Sequence, residues 1–193
     1  MGFFVSLPIH HFVTKYKLDV FVETGTFIGS GIACARYFPF TEIYSCDIST
    51  KLAEDARQMF AVDERVKIST SHSPDFLETL LPKLENNKVL FWLDSHFPDR
   101  YDDTVEIDSL EKLIPLKKEL EIIRKYRKGN DDVIIIDDAR VYDDGNYQYG
   151  PFNRASLGNP DMNFIFEFEP THDIQKDERH EGYFVLTPKI PLL

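Results

Sequence analysis

The stretch Val20-Phe21-Val22-Glu23-Thr24-Gly25-Thr26-Phe27-Ile28-Gly29-Ser30-Gly31 decides how this chain is read. An apolar run ends in an acid and passes through a glycine-spaced turn into Ile32-Ala33-Cys34-Ala35-Arg36-Tyr37-Phe38. That order predicts a buried strand, a tight turn and the start of a helix. Glycine suits the turn because it takes positive φ and has no Cβ to hold a ligand away. The free N–H groups and positive dipole end of the helix then face whatever docks there. The spacing is Glu-x-Gly-x-x-x-Gly, with Phe27 where a dinucleotide fingerprint needs its second glycine. The turn alone is compatible with a ligand site or with a plain structural corner.

Downstream, the same pattern repeats. Thr41 to Asp47 reads as a second strand ending in acid, 24 residues beyond Glu23. An acid at that place contacts ribose hydroxyls or caps the next helix, and the glycine turn favours the ligand contact. Lys51 to Phe60 reads as a helix with Leu52, Ala56, Met59 and Phe60 inward, and Arg65 to Thr70 as a third strand. The loop Ser71-His72-Ser73 then opens a helix over 75–81. In a doubly wound sheet that loop borders an adenine ring, which His72 would stack on or bond unless it is solvated. Lys88 to Asp94 and Asp132 to Asp138 are uniformly apolar before their acids, as central parallel strands should be.

Around these units lie elements with weaker signals. Residues 6–16 predict an opening helix, with a flap over the cofactor mouth as one role for residues 1–18. Its His10 and His11 point about 100° apart on a helix and make a poor chelating pair. The periodicity predicts one long helix from Ser109 to Lys128, with Leu110, Leu113, Leu116, Leu120 and Ile123 inward and Pro115 as a kink. Residues 139–162, rich in Asp, Asn, Gly and Tyr, predict a substrate-facing loop. The alternation of Asn163 to Glu169 and the run Gly182 to Thr187 predict an antiparallel hairpin at the sheet edge. The fold class is therefore α/β: a doubly wound, Rossmann-like, mostly parallel sheet with a C-terminal antiparallel hairpin, in one domain spanning residues 1–193.

Composition narrows the function. With 193 residues and 42% hydrophobic content the chain can bury a sizeable core. A net charge of −11 argues against a nucleic-acid partner, which requires a basic face. No apolar run reaches membrane-spanning length and the N-terminus lacks the order of a signal peptide. Two cysteines, Cys34 and Cys46, read as reduced thiols, so the expected location is the cytoplasm.

The chemistry gathers at the strand ends. Glu23, Asp47, Asp94, His96, Asp137 and Asp138 all fall at the carboxyl edge of the predicted sheet. If Asp94 meets Asp137 and Asp138, the carboxylates repel unless a hard dication such as Mg²⁺ or Mn²⁺ neutralises them. The alternative is that one caps a helix and the others are solvated. His96 is suited to take a proton from an alcohol, or is a structural histidine.

Phe21 to Gly25 with Gly29, Asp75-Phe76 with Thr79-Leu80, Leu93-Asp94-x-His96 and Ile136-Asp137-Asp138 together resemble the class I S-adenosylmethionine-dependent methyltransferases. Within that group they are similar to the macrocin O-methyltransferase family, which methylates sugar hydroxyls with a metal. The resemblance covers most of residues 21–139. It implies that Glu23, Gly25 and Gly29 line the methionine end of the cofactor and that Asp47 holds its ribose; Thr26, Ser71, His72 and Asp94 are the further candidates for cofactor contact. It implies Mg²⁺ or Mn²⁺ on Asp94, Asp137 and Asp138; Asp94 and His96 are the catalytic candidates. Family members often carry aspartate where His96 stands, so its role as base is an inference from chemistry. The expected substrate is a small molecule or glycan. Rival readings are a phenolic acceptor, a metal-dependent hydrolase and a non-catalytic cofactor-binding module.

Overall fold

The computed structural model describes residues 6–129, 131–158 and 163–189. Five parallel strands form one sheet: β1 (Val20–Thr24), β2 (Glu42–Asp47), β3 (Val66–Thr70), β4 (Val89–Leu93) and β5 (Val133–Ile136). Two antiparallel strands, β6 (His172–Asp177) and β7 (Tyr183–Pro188), complete it in the order β3-β2-β1-β4-β5-β7-β6. Strand order reverses at β1, whose neighbours are β2 and β4. The connections leaving the carboxyl ends of β1 and β4 therefore run to opposite faces of the sheet and leave a crevice between them.

The apolar strands are buried on both faces, and their side chains alternate between two cores. Val20, Val22, Phe91, Leu93, Ile134 and Ile136 pack on one face against α4 (Ser73–Leu80) and α6 (Leu116–Tyr126). Phe21, Leu90, Trp92, Val133 and Ile135 pack on the other. There they meet α1 (Ile9–Tyr16), α2 (Ser30–Ala35) and α3 (Thr50–Met59). Ile9, Phe12, Val13 and Tyr16 tie α1 into that core, while His10 and His11 are exposed. Of the cysteines, Cys46 is buried in β2 and Cys34 half-buried in α2, both free.

Three expectations need correction. The helix over 109–128 is two: α5 (Leu110–Leu113) and α6, separated at Pro115. Ile114 is extended at φ −139°, because the residue before proline is barred from the helical region. Leu110, expected inward, is exposed. Asn163 to Phe168 is a 3₁₀ turn, not a strand; its Ile165 and Phe168 are buried three residues apart, as that helix aligns them. The hairpin exists, but its first strand is β6, whose polar Gln175 and Lys176 suit a sheet edge. Met59 points to solvent, and Ala53 and Ala56 are the buried positions of α3.

The segment from 139 to 158 is partly core. Ala139, Val141, Tyr142, Tyr147 and Leu157 are buried, and a Cβ on Gly182 would lie 2.1 Å from the Tyr147 ring. The last four residues of the predicted loop, 159–162, lie outside the described residues, as do residues 1–5. Among the described residues no helix is long and apolar enough to cross a membrane.

Candidate active site

At the crevice the backbone itself sets the geometry. Gly25 has φ +85°, and a Cβ there would lie 2.5 Å from the carbonyl oxygen of Asp94. Only glycine lets β1 and β4 close this tightly at their ends. Gly29, at φ +77°, stands at the N-cap of α2 with the Phe60 ring where its side chain would be. Three of the five described non-glycine residues with positive φ, Phe27, Phe97 and Asp138, sit at the ends of β1, β4 and β5. Each costs on the order of 1–3 kcal/mol, and such strain collects where side chains must be aimed at a ligand.

Beneath the turn lies a buried polar network. Ser45 donates to Glu23 Oε2 at 2.6 Å, and Thr26 Oγ1 lies 2.7 Å from Ser45 Oγ. A Cβ on Gly31 would collide with Glu23 Oε1. Gly31 thus makes room for the carboxyl under α2, a role hidden in the sequence by the seven residues between them. Burial pushes the Glu23 carboxyl up to about 8, against the lowering effect of the Ser45 bond. Glu23 is therefore largely a neutral acid at pH 7, which a bound ammonium would recharge.

The cleft is lined by Gly25, Phe27, Asp47, Ile48, Asp94 and His96, with Leu52, Ser95, Pro98, Tyr101 and Asp138 at its sides. It holds about 590 Å³ of empty space, open to solvent. Asp47 accepts from the N–H of Phe27 at 2.8 Å and of Ser49 at 2.9 Å, so both its oxygens are fixed at the rim. Burial raises its pKa against those bonds. Of the sequence-derived candidates, Gly25, Asp47, Asp94, His96 and Asp138 meet here. Glu23, Thr26 and Gly29 support the wall from behind, and Ser71 and His72 lie outside it. His72 caps α4 with its Nε2 buried and without a partner, and burial lowers its pKa. The post-β4 loop closes the opposite side: Tyr101 packs on Phe27 at 4.5 Å, and Asp102 accepts from Ser49.

Next to the cleft, His96 is held between two aspartates. Its Nε2 is 2.6 Å from Asp138 Oδ2 and its Nδ1 is 3.5 Å from Asp94 Oδ1. Asp94, His96 and Asp138 can each place one ligand atom within 4.8 Å of the others. Asp137 is not in that group. Its Oδ1 accepts the Asp138 N–H at 2.8 Å, and its Oδ2 is buried without a partner. Burial and the charge of Asp138 push Asp137 up to about 7, and burial and both neighbours raise Asp94. Burial also opposes ionisation of Asp138, but its bond to His96 and the Arg140 guanidinium at 3.2 Å outweigh it and lower its pKa. This is a donor set with more negative charge than partners, and a dication fits it. One nitrogen with carboxylate oxygens suits Mn²⁺ better than Mg²⁺, which prefers oxygen alone.

Sequence reasoning missed Ser45, Phe27 and Tyr101, whose types carry no site signal. It also missed Glu119 of α6, buried behind the site with an unpartnered Oε1 and pushed up to about 7 by burial.

No protein-family model matches this sequence, and neither does any curated protein. Solved structures do resemble the fold. A protein from Staphylococcus aureus provisionally assigned as a caffeoyl-CoA O-methyltransferase superposes with a TM-score of 0.63 at 13% identity, covering 98% of this chain and 85% of its own. One from Clostridium thermocellum, provisionally assigned as an rRNA methylase, gives 0.62 at 11%, covering 98% and 99%. The N-methyltransferase NodS from Bradyrhizobium japonicum gives 0.54 at 7%, covering 94% and 92%. The shared feature is the seven-stranded sheet with its antiparallel end; three acceptor chemistries on one fold leave the acceptor to the site.

Proposed function

We propose that this protein is an S-adenosylmethionine-dependent O-methyltransferase that methylates a sugar hydroxyl, in a glycan or glycoside, with a divalent cation. The observation that carries the reading is the Asp94–His96–Asp138 donor set opening on the same cleft as the Gly25 turn and Asp47. The solved methyltransferases of the same fold support the cofactor assignment.

Each residue has a task. Glu23, under the turn, would pair with the cofactor's ammonium, and Asp47, at the rim, would hold its ribose. Phe27 and Tyr101 would flank the nucleoside and shield it in part from water. Asp94, His96 and Asp138 would hold the cation. His96 enters as a ligand rather than as the base, because both ring nitrogens face carboxylates. Asp137 fixes the Asp138 backbone through its N–H. When bound, S-adenosylmethionine supplies an activated methyl, and a dication supplies Lewis acidity that holds adjacent hydroxyls and eases loss of a proton. The protein's contribution is alignment of oxygen with methyl.

A second reading, transfer to adjacent phenol hydroxyls, is supported by the Staphylococcus aureus relative. Transfer of labelled methyl from S-adenosylmethionine to sugars and catechols, with Mn²⁺ and with chelator, separates them. Sugar methylation lost in chelator is the expected result. Catechol methylation alone supports the second reading, and undiminished transfer in chelator removes the metal from the scheme. His96→Ala should lose Mn²⁺ binding together with turnover; retained metal affinity with lost turnover would return His96 to the role of base.

A further inference from the structure

We infer that the acceptor carries an oxyanion, a phosphate or a carboxylate, and that Arg100 reads it. The inference rests on the methyltransferase reading above and names its substrate class. Arg100 follows β4 in a 3₁₀ turn over Pro98–Arg100, at the end of which its own N–H bonds Phe97 O. Its guanidinium lies 4.1 Å over the Phe97 ring and 5.7 Å from that of Phe152. Those two rings are stacked at 5.3 Å and 15°. The His96 ring meets Phe97 edge-on at 5.2 Å. One aromatic ring thus touches both the metal-site histidine and a cation.

Arg100 is also a cation without an anion. Among the described residues no carboxylate pairs with its guanidinium, although Asp99, Asp102 and Asp103 are within three positions and the chain has a net charge of −11. Asp102 is taken by Ser49 and Thr104, and Asp99 and Asp103 are exposed. The other arginine at the rim, Arg140, is committed to Asp138 and to the Tyr149 carbonyl at 3.3 Å. Arg100 lies off the cofactor cleft, whose lining includes its neighbours Pro98 and Tyr101 but not itself. Contact with the two rings restrains the exposed guanidinium without using its N–H groups, which leaves them free for bidentate oxyanion recognition. A dication among three aspartates still leaves negative charge, so an anionic acceptor needs a separate cation near it, and Arg100 supplies one.

The test is NMR titration of D-glucose 1-phosphate, D-glucuronate and D-glucose against the full chain, with and without S-adenosylhomocysteine and Mg²⁺. At least one anion should bind about tenfold or more tightly than glucose, fading with added salt. Preference for the phosphate or for the carboxylate identifies the source of the oxyanion, and preference for both supports the general form. Arg100→Gln should remove the preference and Arg100→Lys restore part of it, with S-adenosylhomocysteine affinity unchanged in each. Equal binding of the three sugars, no binding of any, or a preference that survives in Arg100→Gln overturns the inference. If S-adenosylhomocysteine fails to bind the wild type, the methyltransferase reading falls, while the cofactor-free titration still decides the role of Arg100.

Discussion

The two ends of the central strands handle buried charge in opposite ways. At the amino edge, Arg127 on the exit of α6 donates twice to Asp132, Nε and Nη2 each at 2.8 Å. Arg127 also donates to the carbonyls of Leu84 and Asn87, and Asp132 accepts the Val89 N–H at 2.8 Å. His172 Nε2 lies 3.1 Å from the Asp132 carbonyl. This network is closed and ties β4, β5 and β6 together. At the carboxyl edge, Asp94, Asp137 and Asp138 share one histidine and one arginine, with a buried oxygen of Asp137 left over. The first arrangement pairs its buried charges; the second leaves a buried carboxylate oxygen without a partner. Buried charge by itself therefore does not mark a site, whereas charge short of partners does.

Removing a member of the amino-edge network should have the largest effect. Arg127→Ala strands a buried aspartate and should cost about 3–5 kcal/mol, read as a lower denaturant midpoint. Gly25→Ala should come next at about 2–3 kcal/mol, from positive φ and the Asp94 carbonyl, and should abolish S-adenosylhomocysteine binding in calorimetry. Asp137→Asn should have the opposite sign: in metal-free protein at pH 8 it should raise stability by about 1 kcal/mol, since it relieves repulsion in a buried cluster. If it destabilises as Arg127→Ala does, the contrast between the edges fails. Tyr101→Ala should change stability least, by about 1 kcal/mol or less, because it removes one ring contact with Phe27.

The same contrast has a pH signature. Asp137 and Glu119 are pushed up to about 7 and Glu23 to about 8 in the folded chain. The folded state therefore holds protons that the unfolded state has released above ordinary carboxyl values. Stability from these groups is fully present below about pH 4 and is lost as pH rises toward 7 to 8. Chemical denaturation of metal-free protein should show that fall. Saturating Mn²⁺ should flatten the share due to the aspartates and raise stability, by about 2.7 kcal/mol at a hundredfold excess over the dissociation constant. A stability profile that rises between pH 5 and 8 without metal would contradict the shifts.

Much of this was legible in the chain before its structure. The uniformly apolar runs before Asp94 and Asp137 require strands buried on both faces, and such strands place their terminal acids on one edge. The glycines of the first turn announced themselves by spacing. Other features depend on contacts that no local pattern encodes. Asn163 to Phe168 alternates like a strand, but Ile165 and Phe168 also stand at 3₁₀ spacing, and packing beside α6 decided between them. That Asp138 bonds His96 while Asp137 bonds the Asp138 backbone is not encoded by two adjacent aspartates after an apolar strand. Glu23 reads as a cleft acceptor by position, yet Gly31 and Ser45 hold it under the turn.

The most direct test of the account is a crystal of the protein grown with S-adenosylhomocysteine and Mn²⁺, with anomalous data collected at the manganese edge. The account predicts the nucleoside across the Gly25 turn with its ribose at Asp47, and one anomalous peak among Asp94, His96 and Asp138. A nucleoside bound elsewhere, or no peak at those three side chains, would contradict it.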